Sequence, residues 1–162
     1  KIHNFYVPAG GDEPDIKLNE KFNHKINFIK EMTQFFNKIK LNKTVLVGDL
    51  NIAPYENDVW SHKQLLNVVS HTPIETELLN KLIDNSNWVD VGRKFISKHE
   101  KLYSWWSYRN RDWKKSNRGR RLDHIWVSKD LDLILKSFLS CKEIRDWEKP
   151  SDHVPLILEL SI

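Results

Sequence analysis

Apolar residues recur at three- and four-residue spacing from Leu18 through Phe22, Ile26, Ile29, Met32 and Phe36 to Ile39. That series predicts an amphipathic helix of about six turns. Ahead of it, residues 2–7 mix aromatic and β-branched types and stop at Pro8, as a strand does. Ala9-Gly10-Gly11-Asp12 then reads as a turn. A nearly continuous apolar run at 43–48 predicts a short strand buried on both faces. The stretch that follows, through Trp60, is rich in Asn, Asp and Pro and reads as loop. Thr72-Pro73 with acids behind it opens a second helix over 73–85. Residues 88–95 read as a short helical or irregular piece, 102–108 as an aromatic strand, and 122–127 as an alternating strand. At least one more strand falls within 133–145, and 154–160 forms the last. Strands separated by a few helices predict a layered α/β domain and exclude a helix bundle.

Charge sharpens the picture through its placement. The chain has 162 residues, enough for one domain with a core, and a net charge of only +4. Between Arg109 and Arg121, however, seven Lys or Arg stand against the single acid Asp112. A loop so charged suits an anionic partner such as nucleic acid. Cys141 is the one cysteine, which excludes an intrachain disulfide and favours a reducing compartment. No apolar run is long enough to span a bilayer and no signal peptide is visible, so no membrane partner and a cytoplasmic location are expected. The chain enters its first strand directly at Lys1, which reads as a piece of a longer chain.

Candidate chemistry sits at strand ends. Asp49 and Asn51 follow the strand at 43–48, Asp123 opens another strand, and Asp152-His153 precede the last one. Taken singly, an Asp or Asn after a strand is ordinarily a turn former. Three such sites at strand ends can converge on one rim. Asp49 and Asn51 project to one side if the turn between them stays extended. Carboxylates suit Mg²⁺, which takes oxygen ligands, waters and substrate phosphate; Cys and His at zinc spacing are missing. Carboxylate, amide and imidazole together suit phosphodiester hydrolysis, in which a water is activated and phosphoryl charge neutralised. Trp105 and Trp106 must face opposite ways in a strand, so one of them belongs to the core. His124 is expected on the face opposite Asp123, while His62 and His71 receive no role.

Five motifs, in order, carry a family resemblance: FYVPAG (5–10), GDLN (48–51), YSWWSYR (103–109), GRRLDH (119–124) and EKPSDHVP (148–155). The chain resembles the exonuclease III branch of the endonuclease/exonuclease/phosphatase superfamily. The resemblance implies a four-layer α/β sandwich of the DNase I-like type, of which residues 1–162 form the later part. It implies a nuclease dependent on Mg²⁺, with Mn²⁺ as the second candidate, that repairs double-stranded DNA at abasic sites and 3′ ends and is monomeric at full length. By the same resemblance Asp49 is the base or water-orienting carboxylate, Asn51 contacts the scissile phosphate, and His153, oriented by Asp123, hydrogen-bonds a phosphoryl oxygen. Tyr6 contacts the phosphate or the leaving group. The metal is implied at Asp49, Asn51, Asp152 and His153. Trp105 and Leu122 line a pocket for a flipped-out abasic sugar, Arg109 presses into the duplex, and Asn117, Arg118 and Arg121 approach the DNA backbone. Arg120 stands where relatives often carry an aromatic, which implies a more polar pocket wall.

The resemblance also implies that the first strands of the fold, and a metal-binding Glu, precede Lys1. The sheet holding residues 2–7 would then show an open edge. Two other readings stay open: a fragment that binds DNA or needs a complementing N-terminal segment, and a phosphoesterase of the same superfamily acting on a substrate other than DNA.

Overall fold

A computed structural model describes residues 1–110 and 112–161. The chain runs through β1 (Ile2–Asn4), α1 (Glu20–Asn37), β2 (Val45–Asp49), α2 (His62–Leu65), α3 (Pro73–Asn85), β3 (Trp88–Asp90), α4 (Val91–Phe95), β4 (Trp105–Trp106), α5 (Trp113–Ser116), β5 (Gly119–Arg120), β6 (Asp123–Ser128), β7 (Leu135–Ser140) and β8 (Leu156–Leu160). Four strands form one sheet in the order β1-β2-β6-β3; β4 pairs with β5, and β7 with β8. The β1–β2 pair is parallel and the others are antiparallel.

Side-chain alternation along β2 and β6 sets the layers. Leu46 lies opposite Trp126, and both turn toward the helices, where they meet Ile29, Met32 and Phe36 of α1 and Leu79 and Leu82 of α3. Val45, Val47, Ile125 and Val127 turn the other way, onto Leu135, Phe138, Leu156 and Leu158 of the β7–β8 pair. Helices, a four-stranded sheet and a two-stranded sheet thus stack in three layers of an α/β sandwich. Among the described residues no helix covers the outer face of β7–β8, and β1 pairs only with β2, leaving Ile2 exposed.

Capping explains where elements begin. Asn19 accepts from the Lys21 N–H and starts α1 two residues after Leu18, so Leu18 and Ile39 lie outside the helix. Thr72 and Glu75 form a capping box with Pro73 in the first turn, and α3 spans the expected 73–85. Residues 88–95 divide into β3 and α4 because the Asp90 side chain accepts from the Arg93 N–H and turns the strand into a helix. The aromatic strand is shorter than expected: β4 keeps only Trp105 and Trp106. The basic loop gains the short α5, capped by Asp112. Gly48 has no substitute at the end of β2. Its φ is 138°, and a Cβ there would sit 1.9 Å from the Phe5 carbonyl oxygen.

Candidate active site

Sheet register brings the first two carboxylates together. Asp49 ends β2 directly across from Asp123, the first residue of β6. The third group arrives through β4. Trp105 pairs with Arg120 on one side and bridges to His153 on the other. The Trp106 N–H donates to the Asp152 carbonyl at 2.9 Å and the Val154 N–H to the Ser104 carbonyl at 2.8 Å, which fixes His153 between them. Its Nδ1 lies 2.8 Å from Asp123 Oδ2 and its Nε2 4.0 Å from Asp49 Oδ2. One ligand atom from each of Asp49, Asp123 and His153 falls within 4.8 Å of the other two.

The carboxylate of Asp123 can only accept, so His153 carries its proton on Nδ1 and presents Nε2 toward Asp49. The hydrogen bond to Asp123 raises the His153 pKa above its ordinary value, with the Asp49 and Asp152 charges adding to it and burial opposing. Burial raises the Asp49 pKa; the Asn51 N–H works against that and the Asp123 charge with it. Asp49 Oδ1 accepts from the Asn51 N–H at 2.9 Å, and Oδ2 from Asn51 Nδ2 at 3.1 Å. The turn between them is not extended. Asn51 has φ 52°, a left-handed conformation that Asn tolerates, and this turns its amide back onto Asp49 and the Val7 carbonyl.

Asp49, Asn51 and His153 open onto a cleft of about 620 Å³, lined also by Tyr6, Trp105, Arg109, Arg118 and Leu122. Tyr6 is 67% exposed at the rim. Trp105 faces the cleft and donates its indole N–H to Asp152 Oδ2 at 2.9 Å, while Trp106 is core at 1% exposure. Asn117, with φ 42°, caps α5 and accepts from the Trp106 indole N–H. Arg109 and Arg118 are exposed, and the Arg118 guanidinium lies over the Trp60 ring.

One site expectation is corrected by the structure. Arg121 is not a DNA contact. It is 2% exposed and forms ion pairs with Asp58 and Asp90, so its charge is satisfied inside the protein. Asp152 accepts the Trp105 indole N–H on Oδ2, beside the Asp49–Asp123–His153 cluster. Arg111, part of the basic run, lies outside the described residues.

His124 faces away from Asp123, as expected, and is buried with Nε2 at 2.8 Å from the Ile52 carbonyl. The carbonyl accepts, so the neutral Nε2–H tautomer is held. Burial, with the Arg121 charge, pulls its pKa down to about 4. The unfolded chain therefore takes up this proton more readily than the folded one. The His124 contribution to stability is intact above about pH 6.5 and is lost as the pH falls through about 4, on the order of 3 kcal/mol in total. Urea unfolding at pH 7 and at pH 4.5 checks this: His124→Gln is expected to lose that part of the pH dependence.

Several supporting groups lie beyond what motif reading reached. Ser104 Oγ accepts from the Leu122 and Asp123 N–H groups at 3.0 and 2.9 Å and so sets the position of Asp123. Lys25 is fully buried in an ion pair with Glu75 and donates to the carbonyls of Asn51 at 2.8 Å and Ala9 at 3.2 Å. His62 Nδ1 lies 2.8 Å from His71 Nε2, and His71 Nδ1 lies 2.6 Å from the Ala53 carbonyl. A signal existed for Lys25: it falls on the apolar stripe of α1, between Phe22 and Ile29.

Residues 30–153 match the model of the Endonuclease/Exonuclease/phosphatase family. The chain is 32% identical over 167 aligned positions to exodeoxyribonuclease III of Haemophilus influenzae, covering 98% of this chain and 60% of that protein. It superposes on an AP endonuclease from Archaeoglobus fulgidus with a TM-score of 0.90 at 27% identity, covering 99% of this chain and 61% of that one. It also superposes on the 3′ phosphatase NExo from Neisseria, bound to a product DNA hairpin, with a TM-score of 0.89 at 28% identity and 99% and 61% coverage. The chain therefore spans about three fifths of the length of these relatives. With the Asp49–Asp123–His153 cluster seated at the strand ends and most of its length matched by one family model, the chain belongs to the endonuclease/exonuclease/phosphatase family.

Proposed function

We propose that the chain carries the hydrolytic site of a Mg²⁺-dependent DNA-repair nuclease that cuts duplex DNA at abasic sites and trims 3′ ends. The observation that carries this reading is the juxtaposition of the Asp49–Asp123–His153 cluster with an aromatic cleft flanked by the exposed Arg109 and Arg118. Exodeoxyribonuclease III, an AP endonuclease and a DNA-bound 3′ phosphatase stand among the similar proteins and support it.

Each residue has a task in that reaction. Asp49, held by both nitrogens of Asn51, orients a water and takes its proton. His153, its Nδ1–H fixed by Asp123, donates from Nε2 to a non-bridging phosphoryl oxygen; the raised pKa favours the imidazolium that does so. The water oxygen bonds to phosphorus, the phosphorus–oxygen bond to the leaving strand breaks, and the departing oxygen takes a proton from solvent water at the open rim where Tyr6 stands. Trp105 and Leu122 form the apolar wall that receives the abasic sugar. Extruding that nucleotide costs less because no base pair is broken.

The residues fit a hard cation. Asp123 Oδ2 is occupied by His153, but its Oδ1 accepts no hydrogen bond among the described residues. Asp49 and Asp123 would then hold Mg²⁺ with waters and a substrate oxygen completing its shell. When bound, the ion supplies charge neutralisation at the phosphoryl group. The reading is tested on the full-length protein with duplex DNA containing one abasic site. Incision is expected with Mg²⁺ and none with EDTA. Incision without any divalent cation, or hydrolysis of a phosphoinositide in preference to abasic DNA, would sink it.

A further inference from the structure

We propose that Arg120 forms a second phosphate site in the same cleft and holds a phosphodiester next to the one that is cut. This rests on the DNA-cleaving reading above and deepens it.

The arginines near the site divide into spent and unspent charges. Arg93 pairs with Asp58, and Arg121 pairs with Asp58 and Asp90. Arg145 is buried, donates to the Ser151 carbonyl and does not line the cleft. Arg120 differs. Its Nη1 donates to the Val69 carbonyl at 3.1 Å and to Ser70 Oγ at 2.8 Å, which anchors the group without neutralising it. Among the described residues no carboxylate pairs with it, and its Nε and Nη2 have no protein acceptor. The acid whose charge bears on it, Glu75, is already paired with Lys25.

Arg120 is also half-buried, and burial pulls its pKa below the ordinary arginine value. A partly desolvated charge without a counter-charge costs free energy, and an anion at the open side of the guanidinium removes that cost. The open side faces substrate, because Arg120 lines the cleft that Asp49, Asn51 and His153 also line.

Position selects which anion. The guanidinium lies 5.5 Å from the centre of the Trp105 ring. Trp105 is flanked by Arg120 on one strand and His153 on the other. Two inter-strand steps separate the backbones of Arg120 and His153, roughly 10 Å. Trp105 thus stands between the two groups, which suits Arg120 to the phosphodiester next to the one that His153 meets. A planar fork with two free nitrogens matches phosphate oxygens in bidentate fashion. The sugar between the two phosphates would then rest on Trp105, so the lesion is held by its two ends as well as by its apolar face.

The test is binding of the full-length protein to duplexes with one abasic-site analogue, in EDTA so that no cleavage occurs. Each duplex carries a single neutral methylphosphonate at one successive phosphate around the lesion. For the wild type, neutralising one non-scissile phosphate is expected to weaken binding by about 10-fold or more, the worth of one hydrogen bond to a charged group. Arg120→Gln is expected to bind unmodified DNA weaker by a similar factor and to be indifferent at that one position, while staying sensitive at the others. Arg120→Lys, which keeps the charge without the fork, recovers part of that sensitivity. The same methylphosphonate profile in Arg120→Gln as in the wild type would overturn the proposal. So would a loss in Arg120→Gln that follows the identity of a neighbouring base instead of a phosphate. A wild type that binds none of the duplexes strikes at the DNA-cleaving reading itself, a result separable from both.

Discussion

Asp49→Asn is expected to slow turnover of abasic-site DNA by about 10³-fold, within the range for loss of a positioned general base, with DNA affinity nearly unchanged. The substitution keeps the size of the side chain and one oxygen for the Asn51 N–H, so the turn after β2 should survive. It removes the charge and the proton acceptor. It also sets an amide nitrogen where Asp49 Oδ2 now receives Asn51 Nδ2, which loosens the Asn51 amide. In the proposed function DNA contact is spread over Tyr6, Arg109, Arg118 and the Trp105 wall, none of which is hydrogen-bonded to this carboxylate. Single-turnover incision at saturating protein separates the two quantities. Turnover undiminished in Asp49→Asn would mean that the base lies elsewhere.

Lys25→Met should destabilise the fold by about 3–5 kcal/mol, because it leaves a carboxylate buried without its partner. For a chain of this length that corresponds to a melting point lower by on the order of 10 °C. Lys25 and Glu75 both have fully buried side chains, and Glu75 also accepts from Ser70 and Thr72 at the start of α3. The double variant Lys25→Met/Glu75→Gln removes both charges and keeps the capping box, so most of the lost stability should return. Activity should not return with it. The ammonium also ties the Asn51 and Ala9 carbonyls, one on each loop that flanks the cleft, and Met offers no donor for either. Thermal melts and incision rates on the same three proteins decide the matter. Recovery of both together would reduce Lys25 to a purely structural role.

Those two cases mark how far a linear reading reaches. Asp49 was legible because a carboxylate just past a buried strand, in a GDLN context, has few other uses. Lys25 carried only its place on the apolar stripe of α1, and its ion pair was hidden, since Glu75 lies 50 residues away. Helix α3 matched its expected span because its capping box and Pro73 are local signals. The piece at 88–95 did not, because Asp90 ends a strand and caps a helix in one residue. Trp105 and Trp106 divided as strand alternation requires. The turn after Asp49 did not stay extended, because the left-handed geometry at Asn51 lets its amide reach both Asp49 and Val7.

Local chemistry, then, determined the elements, their caps and the residue types of the site, each of which depends on neighbours within a few positions. Only the tertiary structure could assign the charges. Arg120 and Arg121 are adjacent in a stretch of seven cations, and nothing in the order of residues tells them apart. An extended backbone sends neighbouring side chains to opposite faces. Which face becomes the cleft follows from the pairing of Arg120 with Trp105, and which becomes core from the distant carboxylates of Asp58 and Asp90. One guanidinium is therefore neutralised inside the fold and the other is left open toward the site.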